Sequence, residues 1–165
     1  MTIFDPRELD IVNANRKLIV GIDCGKKTGF ALGYRNAKKF IDISSMKIHK
    51  AMQLVQKLAI KCGKLNMEVH VEDARKNKYP AHTFRRLSEE DKIARLQGVG
   101  SVKRDCVIWE DFLADEGFSF FMIDPRKRQK KVDKKTFKMY TGWDKHKGNN
   151  EHSRDAGMLI FPEIF

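Results

Sequence analysis

Cysteine is scarce in this chain: Cys24, Cys62 and Cys106 are the only three in 165 residues. Their odd number and wide spacing exclude a disulfide framework and a C-x-x-C zinc site, and a reduced, cytoplasmic protein is the expectation. No apolar run approaches the roughly 20 residues that a membrane span requires. The opening residues, Met-Thr-Ile-Phe-Asp-Pro, lack the basic-then-apolar layout of a secretory signal. There is no internal repeat, and no low-complexity tract beyond one basic run. What is present, 41% hydrophobic and 33% charged residues, is the composition of a folded protein, and the length suffices for one core. A single domain over 1–165 is expected, with 1–16 as a loose polar arm.

Acid is lacking in two places. Segment 126–138 has eight basic residues against one acid, and segment 75–86 has five against none. They carry +7 and +5, so the net charge of +11 is local and the other 140 residues stand near −1. Patches of this kind attract phosphate backbones and release counterions on binding, although a basic run can also be only a solvated face. The candidate nucleic-acid contacts are Arg75, Lys76, Lys78, Tyr79, Arg85 and Arg86 in one segment. In the other they are Arg126, Lys127, Arg128, Lys130 and Lys131.

Apolar runs at 17–23 and 28–34 read as strands joined by Gly25-Lys-Lys-Thr-Gly29, whose glycines suit a tight hairpin. A third strand is expected at 39–45. Ile48, Ala51, Met52, Val55, Leu58, Ala59 and Cys62 fall at spacings of three and four, forming an amphipathic helix that Gly63 ends. A fourth strand at 68–73 alternates Val69 and Val71 with His70 and Glu72. Ser88 reads as the N-cap of a helix whose apolar positions Ile93, Leu96, Val99, Cys106, Trp109 and Leu113 follow helical spacing. Gly98 and Gly100 within it signal either a break into two helices or a close backbone approach. A fifth strand is expected at 118–123, a short helix at 133–140, a loop at 141–149 and a last helix at 150–161. In this order, the first three strands make an antiparallel meander. The later two arrive through helical crossovers and must run parallel. The expected fold is α/β: a five-stranded mixed sheet with helices packed on it.

Two strands end on carboxylates, Asp23 after Leu-Ile-Val-Gly-Ile and Glu72 after Met-Glu-Val-His-Val. A carboxylate ending so apolar a strand is costly to bury unless it is paired or binds a metal. In the last helix His152 and Asp155, at i and i+3, share a face, with Glu151 as a rival ligand. Carboxylates suit Mg2+ or Mn2+, and one imidazole moves the preference toward Mn2+. Two such ions about 4 Å apart would activate a water and steady the leaving oxygen in phosphodiester cleavage. Each residue has a plainer reading: Asp23 as a turn former, Glu72 or Asp73 as a partner of Arg75, His152 as a capping histidine, Cys24 and Cys106 as core. The combination, beside two basic segments, points to a metal-dependent nuclease.

Four segments taken in order carry a family resemblance: Gly-Ile-Asp-Cys-Gly-x-x-Thr-Gly at 21–29, Val-Glu-Asp at 71–73, the helix segment beginning Leu-Gln-Gly-Val-Gly at 96–105, and Asn-Glu-His-Ser-Arg-Asp at the start of 150–161. Together they resemble the RuvC-type Holliday-junction resolvases of the ribonuclease H-like fold, a family with phage-encoded members. The resemblance implies a ribonuclease H-like sheet and two Mg2+ ions held by four ligands, which match Asp23, Glu72, His152 and Asp155. It also implies a catalytic-site lysine after the fifth strand, Lys134 or Lys135. One departure stands out. The family usually has an aromatic wedge a few residues after the fourth-strand glutamate, where this chain has Asp73-Ala-Arg-Lys and its nearest aromatics are Tyr79 and Phe84.

The expectation is an endonuclease that resolves four-way DNA junctions. Two symmetric nicks suit a two-fold homodimer. Its face would be the helix with Gly98 and Gly100, with Val99, Val102, Cys106 and Trp109 as apolar contacts. The rivals are an RNA–DNA hybrid nuclease or transposase-like strand cutter of the same fold, and a DNA-binding domain without activity.

Overall fold

The computed structural model describes residues 16–77, 87–127, 131–144 and 150–165. Residues 1–15 of the arm expected at 1–16, together with Lys78, Tyr79, Phe84, Arg85, Arg86, Arg128 and Lys130, lie outside the described residues.

Strand β1 (Leu18–Asp23) is the middle of a five-stranded sheet. On one side β2 (Thr28–Tyr34) and β3 (Phe40–Met46) continue it antiparallel. On the other, β4 (Met67–Glu72) and β5 (Phe120–Ile123) run parallel to it. The order β3-β2-β1-β4-β5 is the mixed sheet that the sequence implies. β1 is an unbroken apolar run rather than an alternating one because both of its faces are covered. Leu18, Val20 and Ile22 pack into one layer and Ile19 into the other.

Helix α1 (Ile48–Cys62) buries Ala51, Leu54, Val55, Leu58 and Ala59, and α2 (Glu89–Asp115) buries Cys106, Trp109 and Leu113. Both cover the face of Val20, Ile22, Val69 and Val71. Trp109 and Leu113 are fully buried, so truncating either to alanine would cost about 2–5 kcal/mol. On the opposite face lie α3 (Lys134–Thr141) and α4 (Glu151–Ile164), with Phe137, Ala156, Met158 and Ile160 packed on Ile19, Ala31 and Ile43.

The helix ends follow local chemistry. Gly63, at φ 82°, closes α1, and the Ser88 hydroxyl caps α2 by accepting from the Asp91 N–H at 3.1 Å. Two expectations fail. Gly98 and Gly100 neither break α2 nor bring another segment close, since a Cβ at either would meet nothing within 4 Å among the described residues. A helix this long, held at one end by Trp109 and Leu113, absorbs the roughly 1 kcal/mol that each interior glycine costs. The final helix also runs beyond residue 161, through Pro162. Its last carbonyls are satisfied by the β2–β3 turn, where Asn36 N–H donates to Glu163 O at 2.9 Å and Lys38 N–H to Ile164 O at 2.8 Å.

α4 lies against β1 and β2 almost backbone to backbone. A Cβ on Gly21 would strike the Ala156 carbonyl oxygen, and one on Gly29 the His152 carbonyl oxygen. That close seat decides where the first turn of α4 stands relative to the end of β1. No described helix is long and apolar enough to cross a membrane.

Candidate active site

In the parallel register Gly21 pairs with His70 and Ile22 with Val71, so Asp23 and Glu72 leave adjacent strands at the same edge. Alternation puts Asp23 on the face of Gly21 and Glu72 on the face of His70, which is the face that α4 covers. The first turns of α4 add His152 and Asp155. Asp23, Glu72 and Asp155 are 6%, 7% and 3% exposed. His152 Nδ1 lies 3.0 Å from Asp23 Oδ2. That hydrogen bond raises the imidazole pKa above its ordinary value, against the opposing effect of burial. The Lys131 ammonium stands 2.6 Å from Asp155 Oδ2. The rival Glu151 has a side chain 75% exposed and 3.9 Å from His152, on the solvent side of the turn.

The start of α4 is pinned in place. Asn150 Oδ1 accepts from the Ser153 N–H at 3.0 Å, and Ser153 Oγ accepts from the Asn150 N–H at 2.9 Å. Asn150 Nδ2 also donates to Ser45 Oγ on β3 at 2.6 Å. This anchor was not visible in the sequence because its partners are 105 residues apart.

The four candidate ligands reach one edge but not one point. Among the described residues, no group of three or more His, Cys, Asp or Glu side chains stands close enough together to hold an ion. Electrostatics accounts for the spread: like-charged carboxylates in a poorly solvated edge repel, and two of them have nitrogen partners, His152 on Asp23 and Lys131 on Asp155. The donor chemistry itself, three buried carboxylates and an imidazole, suits a hard divalent cation.

The choice between Glu72 and Asp73 is resolved by Arg75. Its Nε lies 2.6 Å from Asp73 Oδ1 and its Nη1 2.5 Å from Glu110 Oε2, so Asp73 is the structural partner of Arg75 and Glu72 is left as the candidate ligand. By the same contacts the Arg75 guanidinium, a candidate phosphate contact, is held by two acids of its own chain. Arg126 is held likewise, with Nη2 2.6 Å from Asp124 Oδ2. Lys76 and Lys127 are exposed, although Lys76 Nζ also stands 3.4 Å from Asp73 Oδ2. The lysine in contact with a candidate ligand is Lys131, which the sequence groups with the basic run, while Lys134 and Lys135 are exposed on the first turn of α3. No signal in a run of consecutive lysines distinguishes the one that reaches Asp155.

No protein-family model and no curated protein matches the chain. Among solved structures it is similar to T. thermophilus RuvC in complex with a Holliday junction substrate. The two share 13% sequence identity at a TM-score of 0.51, over 86% of this chain and 89% of that one. The fold is RuvC-like. At that identity the likeness establishes the ribonuclease H-like architecture, and the function rests on this chain's own residues.

Proposed function

We propose that the protein is a divalent-metal-dependent nuclease acting on branched DNA, four-way junctions foremost. The observation that carries this reading is the meeting of Asp23 and Glu72, from adjacent strand ends, with His152 and Asp155 of α4 at one edge of a RuvC-like sheet. These four residues would hold two Mg2+ or Mn2+ ions, which when bound supply Lewis acidity toward the attacking water and the leaving oxygen. Lys131, by its contact with Asp155, would be the cation that meets a phosphate and stabilises its developing charge, rather than Lys134 or Lys135. Lys76 and Lys127 border the same edge and would contact the phosphate backbone.

A second copy of the chain belongs to this reading, because two symmetric nicks require two sites. The face differs from the one expected. Cys106 and Trp109 are fully buried in the protomer's own core and cannot meet a partner. Helical periodicity places Ile93, Leu96, Gly100 and Val107 on the opposite side of α2, where Ile93 and Leu96 are 55% and 58% exposed. That outer stripe is the proposed contact.

Cleavage of synthetic junction, flap, duplex and RNA–DNA hybrid substrates with Mg2+ or Mn2+ tests the function. Junctions should be cut fastest, and Asp23→Asn should abolish cutting while junction binding is retained or tightened. Faster cutting of the hybrid would make the protein a hybrid nuclease. Binding without nicking in either metal would leave a DNA-binding domain and end the nuclease reading.

A further inference from the structure

The turn between β1 and β2 carries a pair of cations that belongs to neither basic segment. β1 and β2 close on the Asp23–Gly29 pair, so residues 24–27 project from the edge where the carboxylates gather. Both ends of the turn are held in the fold: Cys24 is 7% exposed and Thr28 is fully buried. Lys26 and Lys27 between them are exposed. The turn also lies against the imidazole of the site, since a Cβ on Gly25 would stand 3.8 Å from His152 Cε1 and 4.0 Å from Nδ1. One short stretch thus joins a buried carboxylate, two exposed lysines and a backbone seat for His152.

What separates this pair from other basic side chains at the same edge is the lack of an acid. Arg75 is held by Asp73 and Glu110, and Lys76 stands beside Asp73. Arg126 is held by Asp124 and Lys131 by Asp155. Lys26 and Lys27 make no ion pair or side-chain hydrogen bond with a described residue. A phosphate arriving at Arg75 or Arg126 meets a guanidinium already shared with a carboxylate. At the turn it displaces only water and counterions. Three carboxylates repel a phosphate backbone, so unpaired cations beside them govern where that backbone can settle.

We propose that the β1–β2 turn is a phosphate clamp, in which Lys26 and Lys27 bind the DNA backbone next to the bond to be cut and hold it against the Asp23–His152 pair. An ammonium acts as a point charge, so the clamp reads phosphate and not sequence. Burial of Cys24 and Thr28 fixes the turn relative to Asp23, and with it the seat of the phosphate. The position beside the cleaved bond rests on the proposed nuclease function, whereas phosphate binding by the turn does not.

The full-length protein is titrated against a labelled four-way junction in EDTA, from about 50 to about 200 mM salt, and the slope of log K against log salt is measured. The double variant Lys26→Ala/Lys27→Ala, checked for folding by circular dichroism, should lose about 0.9 of slope for each phosphate contact removed. Lys26→Arg/Lys27→Arg should keep the wild-type slope, and so should Lys57→Ala, an exposed lysine of α1. With Mg2+ or Mn2+ and saturating protein, the alanine variant should cut the junction about 10- to 100-fold more slowly, the cost of a misplaced substrate. An unchanged slope in the alanine variant overturns the clamp, and so does an equal loss in Lys57→Ala, which would reduce the effect to net charge. A flattened slope with an unchanged cleavage rate at saturation overturns the position beside the cleaved bond. A flattened slope in a protein that cuts no substrate upholds phosphate binding by the turn and counts against the nuclease function instead.

Discussion

Asp23 and Glu72 were legible in the sequence because the signal is local: an apolar strand that ends on a carboxylate has to explain the cost of burying it. His152 and Asp155 were legible as a pair on one helix face. The contact of Lys131 with Asp155 was not, since it joins two segments that share no pattern. The site therefore yields a discriminating prediction. Lys131→Ala should slow junction cleavage by about 10- to 100-fold, the usual cost of a group that supports metal ligands, with little change in junction affinity. Lys134→Ala and Lys135→Ala should leave the single-turnover rate near wild type. Equal losses at all three lysines would return Lys131 to a general docking role.

The elements were read correctly in kind and order, and nearly so in extent. β1, β2, α1 and β4 lie within one residue of expectation, because hydrophobic period and glycine stops act over a few neighbours. α2 shows the limit of that method. Periodicity reveals a helix but not whether its stripe meets the sheet, and only Cys106, Trp109 and Leu113 do. The exposed half gives a test: Leu96→Asp should convert a dimer to a monomer in light scattering while circular dichroism and thermal midpoint stay unchanged. A wild-type monomer at micromolar concentration with junction DNA present would remove the dimer. The sequence reads Gly29 as a turn former, yet it and Gly21 seat α4. Gly29→Ala, which places a methyl group against the His152 carbonyl, should cost about 1–3 kcal/mol in urea unfolding, as overpacking does. Because the clash is with the helix that bears His152, it should also weaken Mn2+ binding.

For the whole molecule, buried charge governs how stability responds to acid. Burial of Glu68 opposes its ionisation, but the His70 hydrogen bond and the charges of Arg35 and Lys17 outweigh it and hold the carboxyl below its ordinary value. Burial likewise opposes ionisation of Asp73, and Arg75 overcomes it. A carboxylate with a depressed folded pKa stabilises the fold above its unfolded pKa, about 4, and that contribution is lost as pH falls through the folded value. Urea midpoints should accordingly be flat from neutral pH to about 5 and fall below that, and Glu68→Gln should flatten the fall. A decline beginning near pH 7 would assign acid sensitivity to other groups. Long-range assembly has one more consequence, which concerns synthesis. Asp23 and His152 are 129 residues apart, and at about 5–20 residues per second on the ribosome the second follows the first by an interval on the order of ten seconds. Until α4 is made, β1 and β2 present an uncovered glycine trench, and the strands supply only Asp23 and, once β4 follows, Glu72. Under the proposed function, the nascent chain cannot cut DNA while it is being made, and becomes able to cut only when α4 drops into place.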